Sequence, residues 1–96
     1  SATGVQLDDQ KIKQFASAYA EVATIQRNAN TELQTTSDPA KAEQVKTNAE
    51  SAMIAAVERN GLDVNQFNQI VQAMATDENV RSRVSAELQQ RMGTAP

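Results

Sequence analysis

Apolar residues recur at three- and four-residue spacing along the first third of the chain. They are Ile12, Phe15, Tyr19, Val22, Ala29 and Leu33, with Gln26 as a polar interruption. This spacing follows the period of a helix and not the alternation of a strand. Asp8 can cap such a helix, and Leu7 before it can pack on Ile12 as a hydrophobic staple. We predict a first helix from Asp8 to Gln34, about 40 Å long at ~1.5 Å per residue.

A polar loop and a proline introduce a second long helix. Asp38 can cap it, and Pro39 suits the first helical position, where its missing N–H costs nothing. The helix is predicted to end at Asn60 and Gly61, because glycine readily adopts the left-handed conformation that closes a helix. Its apolar face consists of Ala42, Val45, Ala49, Ala52, Met53, Ala56 and Val57.

Two shorter helices follow. Asp63 and Gln66 have the spacing of a capping box, and Asp77 is predicted to cap a fourth helix that ends at Gly93. The predicted buried face of the third helix is Phe67, Ile70, Val71 and Met74. Two arrangements remain open, in which the third and fourth helices either join end to end as a jointed rod or fold back as a hairpin. The break at Asp77 favours the hairpin.

These elements predict an all-α fold, a small antiparallel helical bundle of two long helices plus two shorter ones. One domain is expected over residues 7–93, between flexible tails at residues 1–6 and 94–96. Val, Ile, Leu and Phe make up only 18 of the 96 residues, so the core is thin. The 16 alanines favour helices and let their axes approach closely, so a thin core can still be dense. We expect a folded domain with a narrow stability margin.

The chain lacks the usual reagents of catalysis, since it contains no His, Cys or Trp. A nucleophilic Ser would have no His as its base, and the Glu-x-x-His pairs of di-iron bundles cannot form. No acidic loop has the spacing of a calcium site. The adjacent Asp8 and Asp9 diverge by about 100° on a helix, so capping explains them better than catalysis. We expect no enzymatic activity, no cofactor and no metal.

The charge distribution argues against a nucleic-acid partner. Nine basic residues face twelve acidic ones, the net charge is −3, and no turn gathers more than two Lys or Arg. Nucleic acids and anionic membrane surfaces both attract clustered positive charge, which this chain does not have. No apolar run approaches the ~18–20 residues that span a bilayer. We therefore predict no nucleic-acid partner and no membrane span. A protein partner or self-association is expected instead from the thin core, because a small bundle with so few large apolar residues gains from a partner that buries more surface.

One apolar stripe is a candidate partner contact. It lies on the predicted fourth helix and consists of Val80, Val84, Leu88 and Met92. Arg81, Arg83 and Arg91 flank it, and arginine beside an apolar strip is common at protein interfaces. The preferred interpretation of these residues is nevertheless a stripe that faces the core, with its arginines in solvent.

Three segments of the chain resemble a known family. They are Phe15-Ala16-Ser17-Ala18-Tyr19 together with Ile25, the helix start at Asp38-Pro39, and Gly61-Leu62 through Phe67-Asn68-Gln69-Ile70. This pattern is similar to the bacterial family catalogued as domain of unknown function 4168. The resemblance extends from Leu7 to Arg83 and is most specific over Gly61–Met74. At position 78 this chain has Glu78, where members commonly have Pro.

The resemblance implies a location but no activity. Members are typically small proteins behind a secretory signal, so an exported protein, periplasmic or extracellular with its signal peptide removed, is implied. Our preferred hypothesis is an exported bacterial helical domain that acts as a non-enzymatic protein-interaction or self-associating module. The alternative is a carrier that holds a small apolar ligand between its helices. The residues expected to line that site are Phe15, Tyr19, Met53, Phe67 and Met74.

Overall fold

The computed structural model of the chain describes residues 7–92, and over that range it contains four helices and no strand. The helices are α1 (Asp9–Gln34), α2 (Pro39–Arg59), α3 (Val64–Thr76) and α4 (Glu78–Met92). The predicted all-α fold with two long and two shorter helices is confirmed. The predicted tails at residues 1–6 and 94–96, and the stop at Gly93, lie outside the described residues.

Each helix begins directly after the aspartate predicted to cap it. The Asp8 carboxylate accepts a hydrogen bond from the Lys11 N–H at 2.8 Å. Asp63 and Gln66 form a complete capping box, in which each side chain accepts from the other's backbone N–H. These bonds satisfy N–H groups that have no partner within the helix itself. The four caps are Asp8, Asp38, Asp63 and Asp77.

Gly61 closes α2 and turns the chain toward α3. Its φ of +87° is one that residues with a side chain rarely adopt. The Gly61 N–H donates to the Glu58 carbonyl at 3.0 Å, and the Leu62 N–H donates to the Val57 carbonyl at 3.2 Å. This is the Schellman arrangement, and the buried Leu62 and Val57 supply its apolar contact. A Cβ at Gly61 would also lie 2.5 Å from Nε2 of Gln14.

Helix α1 packs against α2 and α4, and α3 packs against α4 and α2. Arg59, at the end of α2, bonds to Glu21 in the middle of α1. At the other end of the same pair, Ala29 of α1 and Val45 of α2 line a common cleft. Helix α2 therefore returns alongside α1 from the loop that joins them.

Helix α4 runs in the same direction as α1. Asp9 pairs with Arg83 at 3.1 Å, and Lys13, four residues further along α1, pairs with Glu87 at 3.3 Å. Phe67, near the start of α3, contacts the same part of α1, because its ring lies 4.9 Å from that of Phe15. Helices α3 and α4 thus lie side by side, so the hairpin arrangement is the one that forms.

The core lies at the end of the molecule where all four helices meet. Its buried members are Ile12, Phe15, Ala18, Val57, Leu62, Ile70, Ala73, Val80 and Val84. Two details differ from the predicted buried faces. Val71 was expected inside but is 41% exposed, and Ala73 is buried instead. Ala52, expected on the inner face of α2, is exposed, because only the last part of α2 reaches the core.

Candidate protein-contact surface

The outer side of α3 combines exposed valines with a complete lack of charge. No residue from Val64 to Thr76 is acidic or basic. Val64 is 39% exposed and Val71 is 41% exposed. At ~100° per residue, both valines lie within about 60° of Phe67 around the helix. The apolar stripe of α3 is therefore wider than the core covers, and we call Val64, Phe67 and Val71 the α3 stripe.

A shallow groove follows the adjacent face of α1, with a volume of about 550 Å³. Phe67 of α3 contributes to its wall at one end, beside Tyr19. Among the described residues that line this groove, only Arg27 is charged. We call it the α1 groove, and its α1 residues are Tyr19, Val22, Ala23, Gln26, Arg27, Asn30, Thr31 and Gln34.

Three aromatic side chains join the α3 stripe to the α1 groove. Phe15 is fully buried, with Phe67 at 4.9 Å and Tyr19 at 5.7 Å between ring centroids. The tilted ring pairs at these distances are favourable for aromatic side chains. Tyr19 belongs to the apolar face predicted for the first helix, and it is 40% exposed. The two parts of the surface therefore adjoin at these aromatic rings.

The stripe on α4 that the sequence offers as a partner contact packs against the core of the molecule. Val80 and Val84 are buried in the core, and Leu88 packs against it half-buried. The side chain of Met92 lies outside the described part of the chain. Partner contact at this stripe stays a prediction that the fold does not favour, because its valines already pack inside the molecule.

The residues proposed to line a carrier site are only partly brought together. Phe15, Phe67, Tyr19 and Met74 lie in or against the core. Met53, on α2, is half-buried and is not among the described side chains that pack on that cluster. The Phe15 ring is fully buried among its neighbours. The side chains of these residues therefore fill the space between the helices.

Two carboxylates of the fold are held in their charged forms by hydrogen bonds. The Asn60 amide and the Arg59 guanidinium both donate to Glu21, and these bonds lower the pKa of its carboxyl. Arg91, and then Lys13, lower the pKa of Glu87 in the same way. A general acid needs the opposite shift at neutral pH. Within residues 7–92, no group of three possible ligand side chains could hold a metal ion.

Sequence reasoning missed this candidate surface, although one signal for it was present. A run of thirteen residues without charge, from Val64 to Thr76, stands out in a chain that is 22% charged. Charge depletion marks the centre of protein interfaces better than hydrophobicity does. The α1 groove left no such signal, because Phe67, near the start of α3, joins the α1 residues of its wall only in the folded chain.

Comparisons with known proteins identify the family but not an activity. The family model described as "Domain of unknown function (DUF4168)" matches residues 8–84. Neither the curated proteins nor the solved structures include a match to this chain. Among the residues described, no helix has both the length and the apolar character needed to cross a bilayer. The chain belongs to the DUF4168 family, as its sequence pattern predicted.

Proposed function

We propose that this chain is a non-enzymatic contact module that associates with a second copy of itself through the α3 stripe and the α1 groove. The observation that carries the proposal is the outer side of α3, where Val64 and Val71 are exposed on a helix without a single charge. Exposed apolar residues without charges among them are typical of the central part of a protein interface.

The composition of the surface favours protein over other partners. A nucleic acid would need clustered Lys and Arg, and Arg27 is the one cation among the described residues of the α1 groove. The remaining polar groups are amides and hydroxyls, which both donate and accept hydrogen bonds. Such groups can pair with the backbone and side chains of another protein without the cost of burying a charge.

A second copy is the partner that the absence of charge favours most. In a two-fold contact the same surface lies on both sides, so any charge near the axis faces a charge of its own sign. Each copy carries a net charge of −3, which opposes association. A contact made through uncharged residues adds no local repulsion to the repulsion between the two net charges.

The carrier of a small apolar ligand is the weaker proposal. The α1 groove has a volume typical of ligand sites, about 550 Å³ within a usual range of ~300–1,000 Å³. It is open, however, and amide and hydroxyl groups form much of its wall. Native mass spectrometry of freshly purified protein would support a carrier by showing a bound molecule, and an apo mass alone would count against it.

Light scattering over a wide range of concentration tests self-association. We expect the wild-type mass to rise from one copy towards two, and Val71→Lys to remain monomeric because the ammonium would be buried against an apolar surface. A loss of about 1.4 kcal/mol or more corresponds to at least a tenfold weaker association. Ser85→Lys is the matched control, because it adds the same charge to an exposed position on α4.

Two results would contradict this proposal. One is a wild-type chain that stays monomeric at every concentration. The other is association that Val71→Lys and Ser85→Lys weaken equally, which would place the contact elsewhere. Circular dichroism of both variants must first show the wild-type helix content.

We further propose an exported protein with a periplasmic or extracellular location, which the family resemblance supports. Fractionation of the producing cells, followed by detection with an antibody against the chain, would test this. Recovery from the cytoplasm alone would contradict it.

A further inference from the structure

Asn60 and Gly61 form the one Asn-Gly pair of the chain, at the point where α2 ends. Without a Cβ, Gly61 leaves its own backbone nitrogen open to approach. An asparagine placed before such a nitrogen can react with it and lose its side-chain amide as ammonia, which is deamidation. The other asparagines all precede a residue with a side chain, and they are Asn28, Asn30, Asn48, Asn65, Asn68 and Asn79.

The reaction needs only the chain and water. The backbone nitrogen of Gly61 attacks Cγ of Asn60, and the new N–C bond closes an imide ring. The proton that Gly61 loses passes through water to the side-chain nitrogen, which leaves as ammonia. Water then opens the ring at either carbonyl, which gives an aspartate or an isoaspartate whose backbone runs through Cγ.

The fold holds both reacting groups in place by hydrogen bonds. The Asn60 amide donates to the Glu21 carboxylate at 3.0 Å and to the Ala56 carbonyl at 2.7 Å. The Gly61 N–H donates to the Glu58 carbonyl at 3.0 Å. Ring closure breaks all three bonds, because the amide leaves as ammonia and the nitrogen of Gly61 gives up its proton. Local opening of this helix end is therefore the condition for reaction.

From these contacts we infer that Asn60 is a deamidation site that the closed end of α2 protects, and that its deamidation prevents this end from closing again in the same form. An aspartate at position 60 has no donor for the Glu21 carboxylate or the Ala56 carbonyl. It also adds a negative charge beside Glu21 and at the C-terminal end of a helix, where negative charge is unfavourable. An isoaspartate lengthens the backbone inside the turn at Gly61. Deamidation thus converts a reversible opening of α2 into a permanent one.

Peptide mapping by mass spectrometry measures the reaction, because the exchange of NH2 for OH changes the mass of one peptide. Wild-type chains are incubated at mildly alkaline pH, with and without enough urea to unfold them. We expect deamidation at Asn60 in urea and a rate at least about tenfold lower in the folded chain, since three hydrogen bonds must open. Equal rates in both samples, or no reaction at Asn60 in urea, would overturn the inference.

Glu21→Ala tests the protection within the folded chain, because it removes one acceptor of the Asn60 amide and leaves Asn60 and Gly61 unchanged. Asp9→Ala is the matched control, since it also removes a carboxylate that pairs with an arginine, here Arg83 of α4. Circular dichroism must first show wild-type helix content for both variants. We expect deamidation to be about two- to tenfold faster in Glu21→Ala and unchanged in Asp9→Ala. A wild-type rate in Glu21→Ala, or an equal increase in both variants, would overturn protection by this contact.

Asn60→Asp tests whether the modified end can close, because this variant carries the aspartate product from the start. Asn60→Ala is its control, since it removes the same two hydrogen bonds without adding a charge. At neutral pH we expect Asn60→Asp to unfold at a lower temperature than Asn60→Ala, and both to unfold below wild type. An Asn60→Asp chain as stable as wild type would overturn the loss of closure. One only as stable as Asn60→Ala would overturn the effect of the added charge.

Discussion

Helices α3 and α4 share a core but differ on their outer sides. Ile70 of α3 and Val84 of α4 are both fully buried in the same cluster. Outside the core, α3 exposes valine, amide and hydroxyl groups with no charge. Helix α4 carries five charged residues, which are Glu78, Arg81, Arg83, Glu87 and Arg91. Burial in the core cannot explain this difference in charge between the outer sides, because both helices bury apolar residues on their inner sides.

The charges of α4 serve contacts within the molecule. Arg83 pairs with Asp9, Glu87 pairs with Lys13, and the Arg81 guanidinium donates to the Met74 carbonyl at 2.6 Å. Exposed pairs of this kind contribute tenths of a kcal/mol each and fix how α4 lies against its neighbours. Among the described residues, no side chain of α3 takes part in an ion pair. Val64 and Val71 are 39% and 41% exposed, and that uncovered apolar area is available to an outside contact.

The largest effect on stability should come from comparing substitutions at two adjacent residues of α3, one on its inner side and one on its outer side. Ile70→Ala creates a cavity in the shared core and is expected to lower the free energy of unfolding by about 2–5 kcal/mol. Val71→Ala, its exposed neighbour, should change it by about 0.5 kcal/mol or less in the monomer. Urea unfolding of dilute protein measures both. A cost for Val71→Ala close to that of Ile70→Ala would mean that Val71 is part of the core.

The sequence predicted the helices well because their ends depend on neighbouring residues. Asp63 and Gln66 form their capping box within one turn, and Gly61 closes α2 with bonds to the turn before it. Such local interactions can be recognised by spacing alone. The resemblance to the family could likewise be recognised from short segments of sequence.

Features that depend on how helices rotate against each other could not be predicted. Ile70 and Val71 are adjacent and both apolar, and a small rotation of α3 decides which one faces the core. The pairing of Glu21 with Arg59 joins residues 38 positions apart and depends on the register of α2 against α1. The α1 groove brings Phe67 of α3 beside residues of α1 that are far from it in the sequence. The packing of helices against one another determines these features. The spacing of residues along one helix does not reveal that packing.

Acid should change the contribution of α4 to stability but not that of α3. The pKa of Glu87 lies below its ordinary value of 4.5 because Arg91 and Lys13 bond to the carboxylate. Its stabilising effect is therefore complete above pH 4.5 and is lost as the pH falls through the lower, folded-state pKa. Glu87→Gln should be less stable than wild type at neutral pH, and this difference should shrink on acidification. Thermal unfolding at a series of pH values measures it.

A variant of α3 is the control for that measurement, because α3 has no group that titrates in acid. The difference between Val71→Ala and wild type should stay constant over the same pH range. A difference between Glu87→Gln and wild type that does not change with pH would show that Arg91 and Lys13 do not hold the carboxylate in solution.

The smallest expected effect is that of salt on self-association, and it tests which of the two helices makes the contact. Raising the ionic strength from about 0.01 M to about 1 M shortens the screening length from ~30 Å to ~3 Å. A contact through uncharged α3 should change little, with a slight strengthening because two chains of net charge −3 repel each other less. A contact through the arginines and glutamates of α4 would weaken steeply, since it would consist of exposed ion pairs. Sedimentation equilibrium at both salt concentrations distinguishes these outcomes, and steep weakening would assign the interface to α4.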